Sequence, residues 1–270
     1  MLTKILVFLS EISPWARRVL WRWWYDRLAR RLVTDRWTFM NYGLMWPESE
    51  EPVRLAPEDE PDRYCVKLYH RVATPGRLAG REVLEVGCGR GGGAAFVARH
   101  HAPARIIGVD FSPHAVAFCQ HRHREANLCF QAGDAERLPF ADGSFDAVLN
   151  VESSHCYGSM ESFVREVARV LRPGGVFLLA DLRAVKEMAA LEALLRAQPT
   201  LEMVEREDLT PMVVAALQAD HERKRALIAE AIPRREQARF REFAGLTGSQ
   251  VHSAFVKRTM LYHRFMLRRV

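Results

Sequence analysis

The sequence predicts an α/β protein whose core is a doubly wound, mostly parallel sheet. Short apolar segments between residues 79 and 183 alternate with helical patterns at about 92–101, 113–126 and 159–172. Short buried strands separated by helices pair in parallel, because each helix carries the chain back to the starting edge of the sheet. The strand candidates, in chain order, are EVLEVG, RIIGVD, LCFQAGD, FDAVLNV and GVFLLAD.

Residues 1–78 are expected to form an N-terminal helical lid followed by an extended loop. Ser13 and Pro14 suit the cap and first turn of a helix, and the following apolar residues keep helical spacing. All six tryptophans lie in the first 46 residues, interleaved with arginines: Trp15, Trp21, Trp23, Trp24, Trp37 and Trp46. Such a helix either covers a ligand pocket as a lid, or makes a peripheral membrane contact through residues 1–36.

Residues 184–270 are expected to form a helical substrate cap and the closing strand of the same core. Thr210-Pro211 begins one helix, Pro233 interrupts the pattern, and RTMLYHRFMLRRV ends the chain as the strand candidate. Apolar side chains of this section either line the substrate pocket or pack in the core. They are Met188, Leu191, Leu194, Met203, Met212, Val213 and Leu217.

Composition and charge narrow the functional classes. The net charge is +6, but the excess of basic over acidic residues lies in the first 46 and last twenty positions. A nearly neutral central section argues against a nucleic-acid surface.

The five cysteines form no CxxC pair, which favours reduced thiols over a zinc cage or disulfide framework. The early apolar run is too short for a signal peptide or a membrane span. We therefore expect a cytoplasmic protein.

The stretch REVLEVGCGRGGG, residues 81–93, predicts a ligand cradle between the first strand and the next helix. Bare main chain lets a ligand approach closely, and the helix N-terminus supplies unpaired N–H groups. Gly87-x-Gly89-x-x-Gly92 fits a dinucleotide fingerprint. Glu85-x-Gly87-x-Gly89-x-Gly91 fits the pattern of methyltransferases. The glycines alone leave both interpretations open.

Acidic residues follow the next strands at the same edge of the predicted sheet. Asp110 ends the second strand, about 20 residues after the glycines, where a carboxylate accepts hydrogen bonds from a ribose diol. Asp134 ends the third strand, and Asp142-Gly143 forms the turn into the fourth. Because parallel strands end at one edge, these residues predict a ligand site there.

The section 79–183 resembles the class I S-adenosylmethionine-dependent methyltransferases. The resemblance rests on EVGCGRG, GVD, GDAERLPF, FDAVLNVES and EVARVLRPGGVFLLAD, which stand in the family's order and spacing. It favours the methyltransferase interpretation, because a dinucleotide dehydrogenase does not need the later motifs. The resemblance implies a seven-stranded Rossmann-like methyltransferase fold, a helical insertion before the last strand, and S-adenosyl-L-methionine as cofactor.

The resemblance also implies which residues bind the cofactor. Glu85, Gly87 and Gly89 would surround the methionine part, and Asp110 would hold the ribose. Asp134 and Ala135 would flank the adenine, and Asn150 and Val151 would lie near the sulfonium. Cys88, Gly91 and Phe111 complete the expected cofactor-binding residues.

A closer resemblance narrows the expected reaction. KLYHRVAT (67–74), NVESSHCY (150–157) and the closing MLYHRFML look like actinobacterial lipid and polyketide O-methyltransferases, among them the phthiotriol dimycocerosate and fatty-acid enzymes. This implies methylation of a hydroxyl on a hydrophobic small molecule, a polyketide or lipid of secondary metabolism. The alternative is a C-methyltransferase on a prenyl or sterol-like alkene, whose carbocation Glu152 and Tyr157 would stabilise. The sequence leaves the oligomeric state open.

His155 is the first candidate for a general base, because it lies just beyond the fourth strand and titrates near neutral pH. Glu152 and Tyr157 are nearby alternatives, and His155 could instead only orient its loop. We expect no metal site, because His100-His101 and His121-x-His123 lack a converging carboxylate or thiolate cluster.

Overall fold

A computed structural model describes residues 37–50 and 53–270. These residues fold around one 7-stranded sheet with the strand order β3-β2-β1-β4-β5-β7-β6. The strands are β1 (Glu82–Val86), β2 (Arg105–Asp110), β3 (Leu128–Ala132), β4 (Phe145–Val151), β5 (Leu171–Ala184), β6 (Leu201–Asp208) and β7 (Met260–Arg269).

Strand pairing confirms the predicted doubly wound, mostly parallel sheet. β1 lies between β2 and β4, and these three strands run parallel with β3 and β5. β7 pairs antiparallel with both β5 and β6. The strand order reverses direction at β1, between β2 and β4. Such a switch point opens a crevice at the carboxyl ends of the strands.

The helices of the described residues connect these strands and complete the C-terminal section. They are α1 (Arg63–Ala73), α2 (Gly92–His100), α3 (Pro113–Arg122), α4 (Met160–Val170), α5 (Val185–Arg196), α6 (Thr210–Ala219), α7 (His221–Ala231), α8 (Arg234–Phe243) and α9 (Gln250–Val256).

Local sequence explains where two of the helices begin. Ser112 caps α3, where its Oγ accepts the amide of Ala115, and Pro113 occupies the first turn. Ser159 caps α4 in the same way, through the amide of Ser162. A cap of this kind satisfies an N–H group that would otherwise lack an intrahelical partner.

The hydrophobic core has two layers because alternate residues of each strand face opposite sides. Val83 and Leu149 face the layer covered by α1, α2, α3, α6 and α9. Leu84 and Phe177 face the layer covered by α4 and α5. Complete burial of one such side chain stabilises the fold by about 1.5–3 kcal/mol. The two layers therefore fix the sheet whose edge carries the site.

The C-terminal section departs from the predicted helical cap in one element. β6 forms the edge strand of the sheet, whereas the sequence pattern places LEMVERED in the helical section. The sequence signal is weak because polar residues dominate an edge strand that has one neighbour.

The apolar residues of this section pack in or against the core. Met188, Leu191, Leu194 and Met203 pack in the layer of α4 and α5, and Met212, Val213 and Leu217 pack in the opposite layer. Leu194, Met203 and Met212 are only partly buried. The core packing is observed, and a contact of these residues with substrate stays a prediction.

The predictions for residues 1–36 lie outside the described residues. These include the helical lid, the membrane contact and the interleaved tryptophans Trp15, Trp21, Trp23 and Trp24. Within the part of the chain that the structure describes, no helix has the length and apolarity of a membrane span.

Candidate active site

A cavity of about 160 Å³ lies at the carboxyl edge of β1, β2 and β4. Loops that follow these strands form its floor, and residues 38–42 pass along it. Residues 133–136 after β3, Leu182 near the end of β5 and Phe243 at the end of α8 also line the cavity. The sheet therefore places the cavity at the switch point of the strand order.

The floor consists of main chain at the predicted glycine positions. Gly87 and Gly89 have left-handed φ values of 75° and 55°. A Cβ at Gly87 would lie 1.8 Å from Ser153 Oγ. The amide of Gly87 donates to Val109 O at 2.7 Å, which ties the loop to β2. Only glycine fits position 87 without displacing the loop after β4.

Asp110 lies beside this floor at the end of β2. Its Oδ2 accepts the amide of Gly89 at 2.9 Å, and its Oδ1 accepts the amide of Ser112 at 2.9 Å. Burial raises the pKa of the Asp110 carboxyl, and these backbone donors partly counteract the effect. The half-buried carboxylate therefore fixes the glycine loop and also faces the cavity.

Most of the predicted cofactor residues line the cavity. They are Gly87, Cys88, Gly89, Asp110, Phe111, Asp134, Ala135 and Val151. Asp134 Oδ1 accepts the amide of Glu136 at 3.0 Å, which holds the loop beyond β3. Gly91, Glu85 and Asn150 are buried and lie outside the lining.

Glu85 and Asn150 lie beneath the floor as buried polar groups. Tyr69 donates its hydroxyl to Glu85 Oε1 at 2.6 Å, and burial raises the pKa of this carboxyl to about 7. Asn150 Nδ2 donates to Val86 O at 2.8 Å and to the Tyr157 hydroxyl at 3.0 Å. Among the residues that the structure describes, Glu85 Oε2 and Asn150 Oδ1 have no hydrogen-bond partner.

His155 lies in the cavity wall and is held by a carboxylate that the sequence analysis did not name. Its Nδ1 lies 2.8 Å from Oδ1 of Asp181, and its amide donates to Oδ2 of Asp181 at 2.9 Å. Asp181 is fully buried and also accepts from Ser154 Oγ and contacts Arg183 at 3.0 Å. This network fixes the ring, with Nδ1 on Asp181.

The same network sets the protonation of His155. Burial alone would lower the pKa of the imidazole, but the adjacent Cys156 sulfur and the Asp181 carboxylate outweigh burial. The pKa of His155 therefore lies well above its usual value. Burial would raise the pKa of Asp181, yet Arg183 and His155 hold it below its usual range.

Glu152 also lines the cavity, in an unusual backbone conformation. Its φ of 48° is left-handed, which is uncommon for a residue with a side chain. Its Oε1 accepts the amide of Tyr42 at 2.8 Å. Burial raises the pKa of the Glu152 carboxyl to about 7, and the Tyr42 amide opposes this shift.

Tyr157 faces the glycine loop, and its hydroxyl is already engaged. Ser153 Oγ lies 2.8 Å from this hydroxyl, and Asn150 donates to it. Burial raises the pKa of the Tyr157 phenol above its usual value, so the phenol does not ionise at neutral pH. These contacts indicate that Tyr157 supports the glycine floor. They do not favour a role for its hydroxyl as the group that accepts a proton.

Sequence reasoning missed Asp181 and the segment 38–42. Asp181 ends the predicted strand GVFLLAD, so it carried the same signal as Asp110 at the end of β2. Tyr42 carried no local signal, because it contacts Glu152 across 110 positions of sequence. Over the described ranges, no group of three or more His, Cys, Asp and Glu residues forms a metal site.

Comparisons with known proteins agree with this geometry. Residues 84–179 match the family described as Methyltransferase domain. The chain is 43% identical over 235 residues to the phthiotriol/phenolphthiotriol dimycocerosates methyltransferase of Mycobacterium tuberculosis, covering 86% of this chain and 85% of that protein. It is 39% identical over 225 residues to the fatty-acid O-methyltransferase of Mycolicibacterium smegmatis, covering 83% and 79%.

Solved structures show the same fold at low sequence identity. The [4+2]-cyclase SpnF aligns with a TM-score of 0.66 at 22% identity, covering 91% of this chain and 93% of that chain. A geranyl diphosphate methyltransferase in complex with SAM aligns with a TM-score of 0.63 at 18% identity, covering 87% and 100%.

Fold and site together define a methyltransferase that uses S-adenosylmethionine. The chain belongs to the S-adenosylmethionine-dependent methyltransferases, in the group of the phthiotriol/phenolphthiotriol dimycocerosates and fatty-acid O-methyltransferases. The residues present fit this cofactor. Bare main chain at Gly87 and Gly89 leaves room for it, and Asp110 offers a carboxylate at the end of β2. The unpartnered Glu85 Oε2 is a further acceptor close to the loop.

Proposed function

We propose that the protein methylates a hydroxyl group on a lipid or polyketide-like acceptor, with His155 as the general base. The observation that carries the proposal is the contact between His155 and Asp181 in the wall of the cofactor cavity. The names of the curated relatives, which refer to dimycocerosates and fatty acids, support a hydrophobic acceptor.

The lining around His155 suits an apolar chain that carries one reactive polar group. Phe39, Met40, Leu182 and Phe243 supply apolar surface to the cavity. Burial of such surface contributes about 25 cal/mol per Å² to the binding of an alkyl chain. A hydroxyl next to His155 would then be the part of the acceptor that needs a polar partner.

In the proposed mechanism the bound cofactor supplies an electrophilic methyl group. The glycine floor and Asp110 would hold the cofactor, and the cavity wall would position the acceptor oxygen against it. Positioning of this kind lowers the barrier by roughly 7–11 kcal/mol. Neutral His155 accepts the hydroxyl proton at Nε2, while Asp181 on Nδ1 stabilises the imidazolium that forms. A positioned base adds about 10²–10⁴-fold to the rate.

The His155–Asp181 pair favours a hydroxyl over a carboxylate as acceptor. His155 lines the cavity, and Asp181 lies behind it. A carboxylate is already ionised at neutral pH and needs no base, whereas a hydroxyl must lose its proton when it is methylated. The pair can supply that base to a hydroxyl acceptor.

The test is methyl transfer from labelled S-adenosylmethionine to a long-chain alcohol, to the fatty acid of equal length, and to a lipid extract. Alkaline hydrolysis releases label from a methyl ester, hydriodic acid releases it from a methyl ether, and a C-methyl group survives both treatments. We expect label that resists alkali and is released by hydriodic acid.

Variants connect that product to the site. His155→Ala should reduce turnover with the alcohol by about 10²–10⁴-fold while the affinity for S-adenosylhomocysteine changes little. Label on carbon, label released by alkali, or an unchanged rate in His155→Ala would each contradict the proposal.

A further inference from the structure

Helices α7 and α8 enclose a third hydrophobic cluster, which we call the α7–α8 cluster. The rings of Trp37 and Phe240 meet edge to face within it, with their centroids 6.0 Å apart. Its described members lie outside the strands of the sheet, and the buried ones are Trp37, Ile228, Ile232, Phe240, Ala244 and Leu246. Because the two core layers support the sheet, packing in this cluster can change while the cofactor floor stays in place.

Phe243, the last residue of α8, contacts both this cluster and the cofactor cavity. Its ring centroid lies 6.3 Å from that of Phe240, and the side chain packs against the cluster while only partly buried. Phe243 also lines the cofactor cavity. Met40 is partly buried against the same cluster and lines the same cavity. Met40 and Phe243 therefore form a partition between the cavity and the α7–α8 cluster.

A smaller pocket adjoins this partition. Its volume is about 20 Å³, and Met40 and Phe243 line it together with Trp37, Leu227 and Ala244. A space of this size holds about one water-sized group. An alkyl chain that extends from the cofactor cavity toward the cluster therefore meets the partition, and it can pass further only where the partition gives way.

The polar groups of the smaller pocket are already paired with one another. Arg223 lies 2.8 Å from Asp62 and 2.6 Å from Asp220. Lys224 Nζ donates to Tyr42 O at 3.0 Å. Because these charges have partners, the surface that remains for a ligand is mainly apolar. This pocket therefore suits the end of an aliphatic chain better than a second polar group of the acceptor.

We propose that the acceptor carries a long aliphatic chain that runs toward the α7–α8 cluster, and that Phe243 determines the longest chain that the site accepts. The inference rests on the proposed function, because the hydroxyl beside His155 fixes where the chain begins. Each methylene that is buried before the partition raises the affinity about fourfold. Methylenes beyond the partition stay in water and add nothing. The affinity should therefore rise with chain length to a limit and then stay constant.

The experiment is isothermal titration calorimetry of the protein saturated with S-adenosylhomocysteine, with a series of n-alkanols of increasing length. The wild-type protein should show the limit described above. Phe243→Ala removes the ring and should move the limit to longer chains. For two methylenes added beyond the wild-type limit, the affinity should rise about 15-fold in Phe243→Ala and stay unchanged in the wild-type protein.

A second variant of the same residue tests the opposite direction. Phe243→Trp keeps an aromatic ring against the cluster but adds volume to the partition, so it should move the limit to shorter chains. This variant tests the inference even if Phe243→Ala does not fold.

Phe140→Ala is the matched control. Phe140 is also a partly buried phenylalanine, but it packs against the opposite core layer and lies outside the lining of the cavity. This variant should keep the wild-type limit. The proposal would be overturned if no n-alkanol bound, if the wild-type affinity rose without a limit, if both Phe243 variants kept the wild-type limit, or if Phe140→Ala moved it equally.

The titration involves no methyl transfer, so its result is independent of the product analysis that tests the proposed function. A limit that moves with Phe243, without any methyl ether among the products, would contradict the proposed O-methylation alone. A methyl ether with a limit that ignores Phe243 would contradict the assignment of chain length alone.

Discussion

The two ends of the cavity are built from different parts of the protein. The cofactor end is mainly backbone, with Gly87 and Gly89 in left-handed conformations and Asp110 tied to backbone amides. The other end consists of side chains, with His155, Glu152 and Tyr42 in one wall. The cofactor end should therefore respond to added volume, whereas the end at His155 should respond to changes of charge and pH.

The largest expected effect tests the side-chain end. Asp181→Asn would place an amide donor on His155 Nδ1 and so move the ring proton to Nε2, the nitrogen that must accept the proton of the acceptor. We expect turnover to fall by about 10³–10⁴-fold, as for other histidine–aspartate pairs. Calorimetric affinity for S-adenosylhomocysteine should stay within a few-fold of the wild type.

Asp142→Asn is the control for this substitution, because Asp142 contacts Arg169 on the exposed surface. Its turnover should remain near wild type. A small effect of Asp181→Asn on turnover, or an equal loss in both variants, would remove the distinction between the two ends.

The second effect tests the backbone end. Gly87→Ala would place a Cβ 1.8 Å from Ser153 Oγ, and the displacement of this loop should weaken S-adenosylhomocysteine binding by about 10²-fold. Gly174→Ala is the matched control, since Gly174 has a φ of 77° and nothing lies within 4 Å of its Cβ position. An equal loss of S-adenosylhomocysteine affinity in the two variants would show that backbone strain at a left-handed φ, rather than the added side-chain volume, causes the loss.

A smaller effect concerns pH. His155 must be neutral to accept a proton, and Asp181 with Cys156 raises its pKa well above the usual value. Turnover should therefore fall about tenfold for each pH unit below that pKa and level off above it. The bend in the plot of turnover against pH should lie above pH 6.5. A bend at or below the ordinary histidine value would contradict the role of Asp181.

The smallest effect concerns the support beneath the floor. Tyr69→Phe removes the hydroxyl that donates to Glu85 Oε1 and leaves that buried carboxyl with one donor fewer. We expect the free energy of unfolding to decrease by about 1–3 kcal/mol in denaturant titrations. Burial raises the pKa of Glu85 to about 7. The contribution of the protonated Glu85 carboxyl to the free energy of unfolding is therefore present at low pH and is lost as pH rises through about 7. An unchanged free energy of unfolding in Tyr69→Phe would contradict the stabilising role of this hydrogen bond.

The cofactor end was predictable because its features are local in sequence. Glycines between a strand and a helix, and an acid at the end of β2, each act within a few residues of their own position. Asp181 ends the predicted strand GVFLLAD, but the sequence does not say that it lies beside His155. The path of residues 37–42 could not be predicted, since Tyr42 contacts Glu152 and Lys224 only after the chain has folded. β6 was missed because an edge strand needs no alternating apolar pattern.

A crystal structure of the complex with S-adenosylhomocysteine tests the central claim most directly. We predict that the ribose hydroxyls bind Asp110, that the ligand lies between the glycine floor and residues 38–42, and that its sulfur faces the wall that holds His155. A ligand seated outside this cavity, or a sulfur directed away from His155, would contradict both the assigned base and the division of the cavity into two ends.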